Sequence, residues 1–234
     1  MKTVKIEQTP TRFFIPARDV LACYNAASTE QARYYLRGVY VEAMRHADNA
    51  EIESIWLVAT DGNIMLKSDL EENGCAFVGA DVSTQSDESA RTRGFILSLD
   101  VADKALKTTV KTGDAWLYGD TATGIIQVVA HDGTVPKIGV TLDLPRIGIV
   151  EFEKVDGTFP EWTRLMPKAQ TGGVASCMFD PALVARLAKA GSIMSGRKSA
   201  GVLLEQDEQG SPMRATFAGA PYLTGVLMPL RHIN

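Results

Sequence analysis

The stretch Phe14-Ile15-Pro16-Ala17-Arg18-Asp19-Val20-Leu21 runs an apolar strand into a short amphipathic helix, and the same layout occurs three times. It returns at Ile96-Leu97-Ser98-Leu99-Asp100-Val101-Ala102 and at Met178-Phe179-Asp180-Pro181-Ala182-Leu183-Val184. The strand-to-helix corners fall at Pro16, Ser98 and Asp180, so successive units are offset by 82 residues. A unit of this kind leaves an apolar face that its neighbours must cover, so the repeat sets the architecture.

Each corner carries helix-start chemistry. Pro16 suits a first turn, Ser98 is an N-cap ahead of Asp100, and Asp180 with Pro181 is the strongest start signal of the three. Apolar faces follow at Val20, Leu21 and Tyr24, at Val101, Ala105, Leu106 and Val110, and at Leu183, Val184 and Leu187. Strands are expected over 34–44, 55–60 and 64–66 in the first unit, with a tight turn at Asp61-Gly62. In the second they are expected over 115–118, 125–130 and 138–142, and in the third over 202–205, 215–218 and 223–228. The polar run 81–94 reads as a mobile surface loop between units. The pattern predicts an α+β fold of repeated β-α-β-β-β units, with antiparallel sheets outside and helices on one face. Residues 1–168 form one complete domain (units 1–80 and 95–168), and 169–234 form a half domain.

The 234 residues suffice for one large domain or two small ones. A charge of −4 gives no hint of a nucleic-acid binder, yet an acidic body can carry a basic stripe. Cys23, Cys75 and Cys177 lie far apart, which speaks against a zinc site and fits a reducing, cytoplasmic setting. No signal peptide is apparent, and no run approaches the ~18 apolar residues of a membrane span.

Chemistry-bearing motifs are sparse. His131-Asp132 resembles a metal pair but reads as a turn beside Gly133, and Thr60-Asp61-Gly62 is explained by turn chemistry. No nucleophile elbow, P-loop or dinucleotide fingerprint stands in a suitable context, so neither an enzyme nor a cofactor is expected. The basic positions are more suggestive. Lys104, Lys107 and Lys111 share one helical face, and Arg186 and Lys189 share another, followed by Arg197 and Lys198. One such face is ordinarily a solvated one. Two in equivalent repeat positions point to a surface for a polyanion held by phosphate contacts, and the lack of interleaved aromatics fits duplex better than single strands. The C-terminal run from Tyr222 to Leu230 reads as plain core or as an adaptable docking surface.

Four segments together resemble a known family: Arg33-Tyr34-Tyr35-Leu36-Arg37-Gly38-Val39, Leu57-Val58-Ala59-Thr60-Asp61-Gly62, Asp156-Gly157-Thr158-Phe159-Pro160-Glu161-Trp162 and Met228-Pro229-Leu230-Arg231. In this order they resemble the bacterial DNA polymerase III beta subunit, the sliding clamp. The resemblance implies a ring-forming, non-catalytic processivity factor, with helices facing duplex DNA and sheets forming the outer wall. It also implies a pocket for polymerase or repair peptides, made here of Leu36, Thr60, Gly62, Met65, Pro167, Val226, Met228, Pro229 and Leu230. Burial of a few peptide side chains would supply roughly 25 cal/mol per Å2 before ordering costs. Where the family has His-Arg after the turn this chain has Asn63-Ile64, which implies a less cationic rim. The family has three domains of two units each; this chain resembles the middle domain and the latter half of the last. The third unit is thereby expected to lack its partner and to drive self-association about a two-fold axis. Four chains of three units would supply the twelve units of the family's ring. A clamp-derived adapter that binds peptides without encircling DNA is the rival expectation.

Overall fold

A computed structural model describes residues 12–45, 52–70, 76–78, 90–91, 94–99, 103, 107, 115–120, 123–130, 146–151, 154–155, 157–167, 178–198, 200–207 and 210–230. The first unit comprises β1 (Arg12–Pro16), α1 (Ala17–Tyr24), a 3-10 segment (Gln31–Leu36), β2 (Gly38–Arg45), β3 (Ile52–Thr60), β4 (Ile64–Asp69) and β5 (Ala76–Val78). After β6 (Ala90–Arg91), the second contains β7 (Phe95–Ser98), β8 (Ala115–Asp120), β9 (Ile125–Ala130), β10 (Arg146–Glu151), β11 (Lys154–Val155) and a 3-10 segment (Trp162–Leu165). The third contains α2 (Pro181–Ser195), β12 (Val202–Gln206), β13 (Met213–Phe217) and β14 (Leu223–Leu227).

The units are joined by exchanged strands. β1 leaves the first unit to pair antiparallel with β8, in a sheet ordered β10-β9-β8-β1-β5. Reciprocally, β7 of the second unit pairs with β2 of the first. Gly38 makes that joint possible: a Cβ there would stand 2.5 Å from the Leu97 carbonyl oxygen. The second sheet runs β11-β7-β2-β3-β4-β14-β13-β12, with β6 beside β2. The ladder between β4 and β14 carries the third unit into the first unit's sheet.

α1 and α2 pack against each other, α1 also against β3, β4 and β8, and α2 against β14 and β12. The core therefore lies between helices and sheets and includes Ile15, Leu57, Leu117, Leu187 and Phe217 from all three units. Inside it, the Ser68 hydroxyl donates to Asp19 Oδ1 at 2.6 Å and the Cys23 thiol donates to the Leu57 carbonyl at 3.4 Å. Burial raises the Asp19 carboxyl above its ordinary value, against the opposing Ser68 bond. Burial, and then the Asp19 charge, push the Cys23 thiol up.

Several expectations need adjustment. The strand expected over 34–44, β2, begins at Gly38 because Tyr34–Leu36 belong to the 3-10 segment, where the Tyr34 and Tyr35 rings meet edge to face. Within the predicted loop 81–94, Ala90 and Arg91 form a strand pair with Arg45 and Met44; 81–89 lie outside the described residues. The expected strand at 138–142 also lies outside them, while β10 at Arg146–Glu151 fills the sheet edge. Asp180 caps α2 as expected, accepting from the Ala182 N–H at 2.8 Å.

Candidate nucleic-acid and peptide interfaces

On the helix side, a cavity of about 920 Å3 is lined by residues of all three units, among them Tyr24, Asn25, Lys107, Arg186, Lys189 and Ile193. Lys107 and Arg186 therefore face one concavity. Their charges are not free, however. Lys107 forms an ion pair with Asp103, one helical turn earlier. Arg186 bonds three separate acceptors: Nε donates to the Asn25 carbonyl at 2.6 Å, Nη2 to the Ala27 carbonyl at 3.1 Å, and Nη1 to Asp61 Oδ2. Its position on α2 thus ties the third unit to the end of α1 and to the turn between β3 and β4. Lys189, one turn further along α2, is exposed, as are Arg197 and Lys198 beyond the left-handed C-cap Gly196. Lys104 and Lys111 lie outside the described residues, as does His131. Among the described residues no acidic, histidine or cysteine cluster could hold a metal, and no helix is long and apolar enough to cross a membrane.

The opposite face of the long sheet carries a second, smaller apolar cluster, in which Leu36, Met65 and Val226 join Val58, Phe159 and Trp162. Sheet register lines these residues up. Thr60 lies opposite Met65, and Met65 opposite Val226, across β3, β4 and β14. The row begins at a tightly bonded turn. Thr60 Oγ1 accepts from the Gly62 N–H at 3.0 Å and donates to the Ile64 carbonyl at 2.8 Å. Asp61 Oδ1 accepts from the Asn63 and Ile64 N–H groups at 2.9 and 3.1 Å. Gly62 takes φ +97°, a conformation that disfavours any side chain. Asp61 is therefore a turn and joint residue, as turn chemistry predicts.

The row ends at exposed apolar groups. The Met228 N–H donates to the Asn63 carbonyl at 2.9 Å, which fixes the chain after β14, yet the Met228 side chain is 39% exposed and that of Leu230 52%. Pro229 and Pro167 are half-buried. Of the nine predicted pocket residues, Leu36, Met65 and Val226 share one cluster, Thr60 and Gly62 form its turn, and Met228 is tied to that turn.

Sequence reasoning missed two contributors. Arg33 donates from Nη1 to the Asp61 carbonyl at 2.9 Å, which places a guanidinium beside Gly62, although its Nε is paired with Glu30 at 3.2 Å. Ile64 is a core residue. The segment 156–162 is a brace: the Phe159 ring stacks on Tyr40 at 4.7 Å, and Trp162 Nε1 donates to Glu42 Oε2 at 3.0 Å. Lys67 sits 5.1 Å from the Trp56 ring and 5.6 Å from Trp162, while pairing with Asp69 at 3.0 Å. The sequence signal for the brace was the aromatic content of the motif; the contact of Arg33 with the turn had none.

No family model and no curated protein matches this sequence. Solved structures do match. The DnaN sliding clamp (DNA polymerase III subunit beta) from Bartonella birtlesii, bound to griselimycin, aligns with 99% of this chain and 69% of its own at 18% identity, with a TM-score of 0.58. A DNA polymerase sliding clamp from Pseudomonas aeruginosa gives 99% and 69%, 14% identity and 0.59. One from Caulobacter crescentus gives 99% and 68%, 16% identity and 0.55. The resemblance carried by the four segments thus holds in three dimensions: this chain has the fold of the bacterial sliding clamps over about two thirds of their length.

Proposed function

We propose that the chain is a non-catalytic, sliding-clamp-like processivity factor of DNA replication, working in the cytoplasm as a homo-oligomer. Its helix side faces duplex DNA without reading sequence, and its outer face docks peptides of a polymerase or repair partner. The observation that carries this reading is the convergence at one joint. Segments from the start, middle and end of the chain meet where β4 pairs with β14, and there they leave Met228 and Leu230 exposed beside the Thr60–Gly62 turn that Arg33 braces. Adaptable apolar groups around a pre-formed turn suit a short peptide with apolar anchors.

On the helix side, Lys107, Lys189, Arg197 and Lys198, with Lys104 and Lys111, would supply the phosphate contacts. Arg186 shapes that surface more than it supplies free charge. Weak, partly neutralised contacts suit movement along DNA, with retention left to ring topology. A ring requires open strand edges, and β10 and β12 are terminal strands of their sheets.

Retention on nicked circular DNA, compared with the same DNA linearised, tests encirclement: loss on linearisation is expected, and equal retention on both refutes it. A short peptide with apolar anchors is the probe for the outer face, and griselimycin, bound by the Bartonella birtlesii clamp, is a second ligand to try. Binding that weakens in Met228→Asp is expected, and undiminished binding refutes the site. The ion pairs Lys107–Asp103 and Arg186–Asp61 favour a second reading, an adapter that keeps the peptide face and never encircles DNA. Peptide docking without any DNA retention would select it.

A further inference from the structure

We infer that two copies of this chain join through their third units, each laying the segment before α2 along the free edge of the other's β12. The inference deepens the ring reading by naming the joint, but it rests on strand geometry rather than on DNA binding.

The first two units show how such a joint is made. In each, the strand before the corner uses both edges. One edge bonds within its own unit: Phe14 of β1 opposes Ala76, and Ile96 of β7 opposes Val155. The other bonds to the sister unit: Ile15 opposes Leu117 and Phe14 opposes Tyr118, while Leu97 opposes Val39 and Ile96 opposes Tyr40. Phe14, Ile15, Ile96, Leu97, Leu117 and Val39 are all at most 1% exposed.

The third unit repeats the first half of this arrangement. Met178 holds the place of Phe14 and Ile96 in the 82-residue period, and it forms an antiparallel bridge to Leu230 within its own unit. The second half has no counterpart among the described residues. β12 pairs with β13 alone, and the residues that a sister unit would cover are open: Met178 is 47% exposed, Phe179 37% and Leu203 60%. An open edge bearing apolar side chains is a template for another strand.

Face matching narrows the register. Val202 and Leu204 both pack on the core, as do Leu117 and Val39, and Val202, at the start of β12, is taken as their counterpart. Phe179 of one copy then faces Val202 of the other, and Met178 faces Leu203, with the same contacts repeated about a two-fold axis. The free edge and the free strand segment belong to the same unit, so a second identical unit satisfies both at once. That self-complementarity selects a copy of this chain over an unrelated partner.

The test is association in the absence of DNA, by light scattering at tens of micromolar. The wild-type protein is expected as a dimer or an even multiple, and Leu203→Lys, at an exposed site that folding does not need, as half that assembly. A second measurement uses Met178→Cys with Leu203→Cys, Cys75 and Cys177 being replaced by serine. Oxidation is expected to link two chains, whereas either single cysteine alone does not. A wild-type monomer, an assembly indifferent to Leu203→Lys, or a double-cysteine protein that stays single on oxidation each overturns the joint. DNA retention is scored separately, so failure of the joint and failure of the clamp reading are distinguishable.

Discussion

Arg186 on α2 and Asp61 in the turn between β3 and β4 form an ion pair across the junction of the third and first units. The same guanidinium bonds two carbonyls beyond the end of α1, so one side chain fastens a helix to two loops of another unit. Arg186→Ala is expected to cost about 2 kcal/mol, since hydrogen bonds to a charged group are among the stronger kind. Arg186→Lys should recover less than half, because an ammonium cannot reproduce a planar fork. Urea unfolding checks both; full recovery by lysine would show that charge alone matters.

Asp103 neutralises Lys107 at the mouth of the helix-side cavity. Asp103→Asn should therefore strengthen DNA retention at low salt. Lys189→Ala should weaken it and reduce the slope of log affinity against log salt by about 1, the signature of one lost phosphate contact. Salt titrations of both variants give the comparison, and identical slopes would place Lys189 away from the backbone.

Met228 is fixed by its main chain and exposed by its side chain. Met228→Ala is expected to weaken peptide or griselimycin binding about tenfold, equivalent to about 1.4 kcal/mol. Stability should change by less than about 0.5 kcal/mol, as at other exposed positions. A large fall in the unfolding midpoint would make Met228 a core residue instead.

Asp19 titrates upward because it is buried. A carboxyl raised in the fold supports folding while protonated, fully so below its ordinary value of 3.8, and loses that contribution as pH rises through its folded value. Asp19→Asn retains an acceptor for Ser68 and removes the titration. The variant's stability relative to wild type should then grow as pH is raised from about 4 to 8. Urea midpoints across that range decide it; a constant difference would exclude the carboxyl as the source.

The repeat made the fold legible, because strand-to-helix corners at a fixed period are local signals and Asp180 followed by Pro181 caps a helix wherever it stands. Long-range pairings were less accessible. Nothing near Arg186 says that it will reach Asp61, since the two are brought together by the β4–β14 ladder. Lys107 and Arg186 line one cavity, and their neutralisation by Asp103 and Asp61 was invisible without the fold. Likewise nothing near Asn63-Ile64 says that Ile64 packs in the core or that Arg33, from a different segment, bonds the turn.

The ladder between β4 and β14 has a consequence for quality control. Met65 and Val226 face each other only after the last strand has docked on the first unit's sheet, so no single unit owns the smaller apolar cluster. A chain whose final segment has peeled away loses that cluster. Under the proposed function, peptide recruitment would then report on the completion of folding, and a half-made molecule would present no docking site.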